Sequence, residues 1–156
     1  MYSMRISGHV KAPRAAVFRA LVDADAVARW RAPQGMTAQV HTFDPREGGR
    51  FRVSLTYASP DAAGKTDAHT DTYHGHFVRL VPDEQVVEVL AFETDDPALG
   101  GTMTMTTTLT DAADGGTDVT IEHAGVPDAV VAEDNETGTR MALANLARLV
   151  EAGPSA

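Results

Sequence analysis

Two hydrophobic periods divide the chain. Met4 to Val10 places apolar residues between Arg5, Ser7 and His9, which predicts a half-buried strand. Pro13 suits a first helical position, and Val17, Phe18 and Leu21 follow at helical spacing, so Pro13 to Val22 reads as a short amphipathic helix. Asp23 or Asp25 is placed to cap a second helix, Ala26 to Trp30, which Pro33 stops. From Met36 the period becomes alternating. Met36 to Phe43 predicts a strand, and after the turn Asp44 to Gly49 the set Phe51, Val53, Leu55 and Tyr57 alternates with Arg52, Ser54 and Thr56. Ser59 to Asp71, rich in Pro, Ala, Gly and Asp, reads as a mobile hairpin loop. Four further strands follow, at Tyr73 to Val81, Val86 to Glu93, Met103 to Thr110 and Thr117 to Ala124.

After Pro127 the helical period returns. Between Asn135 and Glu151, residues Thr139, Ala142, Leu143, Leu146, Leu149 and Val150 share one face, while Met141 falls on the polar side. Glu133, Asp134 and Glu136 complement the positive helix end, and Gly153-Pro154 ends it. The order is strand, two short helices, six strands, long helix, with turns short enough to favour antiparallel neighbours. This predicts a single α+β domain over residues 1–156, with a short tail at 153–156.

Local words sharpen that plan. Trp30-Arg31-Ala32-Pro33-Gln34-Gly35, the turn Asp44-Pro45-Arg46-Glu47-Gly48-Gly49, Gly75 with Val81-Pro82, Gly116-Thr117, and Asp134-Asn135-Glu136 with Gly138 occur in an order that resembles the SRPBCC superfamily of START and birch-pollen-allergen-like proteins. The branch most similar is the one related to the C-terminal domain of the activator of heat-shock protein 90 ATPase. The resemblance runs from about Ser7 to about Ala152. It implies a helix-grip fold, a curved seven-stranded antiparallel sheet around the long C-terminal helix, with two short helices between strands 1 and 2. It also implies binding of small, mostly apolar molecules, with catalysis in some members only. Many members carry Gly-Trp where this chain has Gly138-Thr139.

Composition narrows the function classes. The 156 residues carry 13 Lys plus Arg against 22 Asp plus Glu, a net charge of -9, which disfavours nucleic acid and anionic membranes as partners. The absence of cysteine removes disulfides, thiolate metal sites and thiol nucleophiles. With no apolar run long enough for a membrane span and no signal-peptide pattern, a soluble cytoplasmic protein is expected. A homodimer is compatible with the sequence.

Candidate chemistry is sparse. On the strand Met103 to Thr110, Met103, Met105, Thr107 and Leu109 face one way and a row of threonines the other, so the methionine face is expected to be inner. The same reasoning turns Val119, Ile121 and His123 inward, making His123 either a hydrogen-bonded structural histidine or a ligand donor and general base. Glu88 shares a face with Val86, Leu90 and Phe92, but both faces of that strand are apolar and periodicity does not choose between them. An inward Glu88 beside His123 would form an acid–base pair; an outward one would be an ordinary surface carboxylate. His74 and His76 share a strand face with His69 upstream, a set more consistent with solvent-facing histidines than with zinc, so no metal and no cofactor are expected. Gly48-Gly49 and Gly100-Gly101 lack the surroundings of a phosphate loop.

The expected function is binding of a small, largely apolar or amphipathic molecule between the sheet and the last helix. The expected contacts are Trp30, Phe51, Val53, Tyr57, Met103, Met105, His123, Thr139, Ala142 and Leu146. Two alternatives stay open. One is a cyclase- or hydrolase-like enzyme using His123, with Glu88 or Tyr57 assisting. The other, by analogy with the chaperone-activating relatives, is a chaperone-interacting module.

Overall fold

The computed structural model describes residues 1–58 and 70–153. Among these, seven strands form one antiparallel sheet: β1 (Tyr2–Val10), β2 (Met36–Phe43), β3 (Arg50–Tyr57), β4 (Thr70–Val81), β5 (Gln85–Phe92), β6 (Met103–Asp111) and β7 (Thr117–Val126). Their spatial order is β1-β7-β6-β5-β4-β3-β2. The helices α1 (Arg14–Leu21) and α2 (Ala24–Trp30) carry the chain from one edge strand, β1, to the other, β2, and α3 (Ala132–Glu151) closes it. The helix-grip architecture expected from the sequence is present.

Several boundaries move for identifiable reasons. Pro13 is the cap of α1 rather than its first residue, its carbonyl accepting from the N–H groups of Ala16 and Val17. Helix α2 begins two residues early, because the Asp23 carboxylate accepts from the Asp25 N–H and caps it. Strand β1 reaches back to Tyr2, where a bulge lets it pair with Val126, and β7 runs on through Gly125, whose φ of 71° a side chain would resist. Helix α3 starts at Ala132, three residues before the expected opening, and β5 is shifted one residue towards the N-terminus. Of the expected loop from Ser59 to Asp71, residues 59–69 lie outside the described residues. Thr70 and Asp71 belong to β4, and Asp71 is buried.

One face of the sheet makes the core. Ile6, Val10, Phe51, Val53, Phe77, Val86, Leu109, Val119 and Ile121 pack there against Val17, Leu21, Val27 and Trp30 of the short helices and Ala142, Leu143 and Leu146 of α3. Burying a Val, Leu, Ile or Phe side chain contributes about 1.5–3 kcal/mol, so this cluster is the dominant stabilising term. Helix α3 comes closest to the sheet at Gly8: a Cβ there would stand 2.6 Å from Leu143 Cδ2. At Gly75 the constraint lies within the sheet, since a Cβ would meet the Val89 carbonyl oxygen at 1.9 Å. The outer face is polar. Arg52 forks onto Glu93 at 2.8 and 2.9 Å, and His74 reaches the same carboxylate at 3.1 Å.

His9 on the outer face of β1 bridges two carboxylates, Asp118 at 3.2 Å through Nδ1 and Asp114 at 2.9 Å through Nε2. Both nitrogens can donate only in the imidazolium form. The hydrogen bond to Asp118, with Asp114 adding to it, raises the His9 pKa above 6.5. A raised folded pKa means the contribution is complete below pH 6.5 and is lost as pH rises through the folded value. Urea unfolding of the wild type and His9→Gln should therefore differ most near pH 5.5 and converge by pH 9; an equal difference at both would show that the clasp is not ionic.

Candidate functional site

The inner face of the sheet carries a lateral row in which Phe77, Glu88, Met105, His123 and Met4 stand side by side on β4, β5, β6, β7 and β1. Glu88 and His123 both point inward, with Met105 between them. The register thus settles the face of β5 that periodicity left open. It does not make the acid–base pair: each polar side chain takes a different partner.

The partner of Glu88 is Arg31, at the end of α2, with Nη2 and Oε2 3.1 Å apart. The two side chains are only 14% and 12% exposed, so this is an interior ion pair. Arg31 Nε donates to the Tyr73 hydroxyl at 2.8 Å, and its guanidinium lies 5.2 Å from the Trp30 ring and 5.6 Å from the Tyr73 ring. Among the described residues, the acceptor facing Nη1 is the Met105 sulfur, at 4.0 Å, a weak one. Burial opposes the charge on Arg31, but Tyr73 and Glu88 more than offset it and hold the guanidinium above its ordinary range. Burial also raises the Tyr73 phenol, against the pull of Arg31, so the hydroxyl keeps its proton.

The backbone around Arg31 is fixed before its side chain meets anything. Trp30 Nε1 donates to the Ala20 carbonyl at 2.9 Å, tying α2 to α1. Asn145 of α3 donates to the carbonyls of Trp30 at 3.4 Å and Ala32 at 2.9 Å, one on each side of Arg31. Three helices therefore aim one guanidinium at β5.

His123 has its own network. The Tyr2 hydroxyl donates to the Val130 carbonyl at 2.8 Å and accepts from Asn135 Nδ2 at 3.3 Å. That fixes the Asn135 amide, whose NH2 also faces His123 Nδ1 at 3.4 Å. Nδ1 is therefore the acceptor and the proton sits on Nε2. Burial, with the Arg31 charge adding to it, lowers the His123 pKa to about 4. The ring is neutral at physiological pH.

A cavity of about 10 Å³, room for roughly one water, lies between the α1–α2 corner and the sheet. Leu21, Val27, Trp30, Phe43, Phe51, Val53 and Val86 form its apolar wall, and Arg31, Tyr73, Glu88 and Thr107 its polar one. Of the expected contacts, Trp30, Phe51 and Val53 reach this cavity. Met103 and Met105 are buried on the inner face of β6, Ala142 and Leu146 are buried on α3, and Tyr57 is half-buried at the end of β3, and none of them lines it. The Thr139 hydroxyl donates to the Asn135 carbonyl at 2.8 Å, within its own helix. Met141, placed by angle on the polar side, is half-buried.

Sequence reasoning missed Arg31 and Tyr73. Tyr73 was findable, because it shares the inward alternation of Gly75 and Phe77; nothing in the spacing of Arg31 separates it from a surface arginine. His74 and His76 are exposed, His69 lies outside the described residues, and no group of three metal-ligating side chains occurs among the described residues. A larger depression of about 610 Å³ between α2, β2 and α3 is an open surface groove.

These features sit in a known frame. Residues 11–151 match the model of the family described as Activator of Hsp90 ATPase homolog 1-like protein. The chain belongs to that family. Among solved structures, protein CV1439 from Chromobacterium violaceum is 28% identical, with a TM-score of 0.85 over 99% of this chain and 100% of that one. A Rhodobacter sphaeroides protein is 20% identical, with a TM-score of 0.77 over 98% and 95%. An Arthrobacter aurescens protein is 19% identical, with a TM-score of 0.78 over 98% and 87%; these last two likenesses concern the fold alone. No curated protein matched the sequence. Like its Activator of Hsp90 ATPase homolog 1-like relatives, the chain has the fold that commonly holds ligands in a cavity. No helix among its described residues is long and apolar enough to cross a membrane.

Two predictions follow from the polar side chains. Glu88→Leu strands a buried guanidinium and should cost roughly 3–5 kcal/mol in urea unfolding, while Arg31→Met with Glu88→Leu should recover most of that loss. A double variant no more stable than the single one would make the pair a structural necessity. For His123, a folded pKa near 4 against 6.5 unfolded means stability is lost as pH falls from 6.5 to 4, by roughly 3 kcal/mol. His123→Phe should remove that part of the acid loss; an unchanged pH dependence would place the histidine's titration elsewhere.

Proposed function

We propose that this protein binds a small, largely apolar molecule in the interior between the sheet and the helices, at the cavity walled by Trp30, Phe51, Val53 and the Arg31–Tyr73–Glu88 cluster. The observation that carries this reading is a charged pair and a phenol held on the wall of an otherwise apolar cavity. A buried ion pair is poor value for stability, since apolar side chains of similar size usually do as well or better. Few convergent polar groups in an apolar surround are instead what small-molecule sites present.

The cavity is water-sized, so a ligand must open it. Cavity creation costs about 24 cal/mol per Å³, or roughly 3–4 kcal/mol for the ~150 Å³ of a benzene-sized guest. Apolar burial at about 25 cal/mol per Å² offsets this once the guest buries more than ~150 Å². Opening by rotation of Arg31 and separation of α2 from the sheet needs no change in strand pairing.

The acid–base reading has less support. Met105 separates Glu88 from His123, and the neutral imidazole is hydrogen-bonded to Asn135.

Trp30 is the only tryptophan, so its indole N–H gives one resonance at the cavity wall. Titration with 2-isopropylnaphthalene should shift that resonance saturably and raise the thermal midpoint. No movement at the solubility limit of the probe, with no small molecule retained by freshly purified protein in native mass spectrometry, would overturn the proposal.

A further inference from the structure

The cavity's polar wall is neutral overall and rich in donors. Arg31 and Glu88 cancel in charge. Tyr73 keeps its proton, and His123, the next titratable group along the inner face, is uncharged. Two donors on this wall stand out, because neither has a good acceptor. Tyr73 accepts from Arg31 Nε, which leaves its own O–H proton with no acceptor among the described residues. Among the described residues, Arg31 Nη1 has just the Met105 sulfur as an acceptor, at 4.0 Å.

A ligand entering this site meets three physical conditions. Its body must be apolar, because most of the wall is. Its polar end should accept hydrogen bonds, because the Tyr73 O–H and Arg31 Nη1 are the wall's donors without a good acceptor. It must also carry no net charge. A second carboxylate beside Glu88 would leave the interior with an uncompensated negative charge, and burying such a charge is strongly unfavourable. A cationic end would be repelled by Arg31, whose charge already neutralises Glu88 through Oε2. We infer that the ligand is a neutral apolar molecule ending in a carbonyl oxygen, a ketone or an ester, received by the Tyr73 hydroxyl and Arg31 Nη1.

This inference rests on the cavity reading above and is tested with three probes of one shape. The probes are 2-acetylnaphthalene as the ketone, 2-isopropylnaphthalene as the hydrocarbon and 2-naphthoate as the anion, each titrated against the Trp30 indole resonance. The ketone should bind at least tenfold tighter than the anion. Tyr73→Phe should lower ketone affinity about fivefold more than hydrocarbon affinity, the loss of one net hydrogen bond. Retained hydrocarbon binding also reports that the variant is folded. In the wild type, the infrared carbonyl stretch of the bound ketone should lie below its position in hexane, and this measurement needs no variant.

Hydrocarbon binding with an anion as tight as the ketone, or with a carbonyl stretch unshifted from hexane, overturns this inference and leaves the cavity reading standing. Failure of all three probes to bind, with no small molecule retained by freshly purified protein, overturns both; failure with a retained molecule that lacks a carbonyl overturns this inference alone.

Discussion

The Glu88 carboxylate stands on the inner face of this sheet because a guanidinium is delivered to it. Glu88 lies on β5, flanked in register by Phe77 and Met105, where its side chain is only 12% exposed. Arg31 meets it from the end of α2, and its backbone is held by the Trp30 indole on Ala20 and by Asn145 on both flanking carbonyls. The short helices, the sheet and α3 all converge on that one residue. The Trp30 word followed by a proline therefore does more than end a helix. It sets the angle at which a charge enters the core.

That dependence explains what the sequence did and did not disclose. Alternation alone oriented β6 and β7 correctly, because threonine against methionine, and Asp118, Thr120 and Glu122 against Val119 and Ile121, leave one arrangement that buries apolar surface. It failed on β5, where Val87, Val89 and Ala91 oppose Val86, Glu88, Leu90 and Phe92, and neither face announces itself. The information that resolves Glu88 lies 57 residues away, in a guanidinium whose orientation depends on α3. Helix boundaries failed more mildly. Pro13 and Asp23 are caps whose roles turn on which carbonyl or N–H they meet, and that is geometry no residue pattern contains.

The net charge of -9 divides along the same surface. Glu93, Asp114, Asp118 and Glu122 lie on the outer face and turns, where Arg52, His74 and His9 partly compensate them. On the cavity wall, Arg31 and Glu88 cancel. Two histidines show the contrast directly. His9, exposed between carboxylates, is drawn towards the charged form, and His123, buried within reach of Arg31, is driven from it. The acidity of the chain therefore says nothing about what the interior accepts.

The interior is also nearly full, and that bears on how a ligand would be selected. A pocket already open discriminates by size; one that must be opened discriminates by what compensates the opening. Here the compensation has two parts, apolar area against Trp30, Phe51 and Val53, and hydrogen bonds to donors that lack good acceptors in the closed state. A small hydrocarbon supplies only the first, and a small polar molecule only the second. Thr139 adds nothing to either, since its hydroxyl is bonded within α3. In the proposed reading, selectivity would rest at the end of α2, where Arg31 holds both the closed arrangement, through Glu88, and one of the donors that would reward its opening.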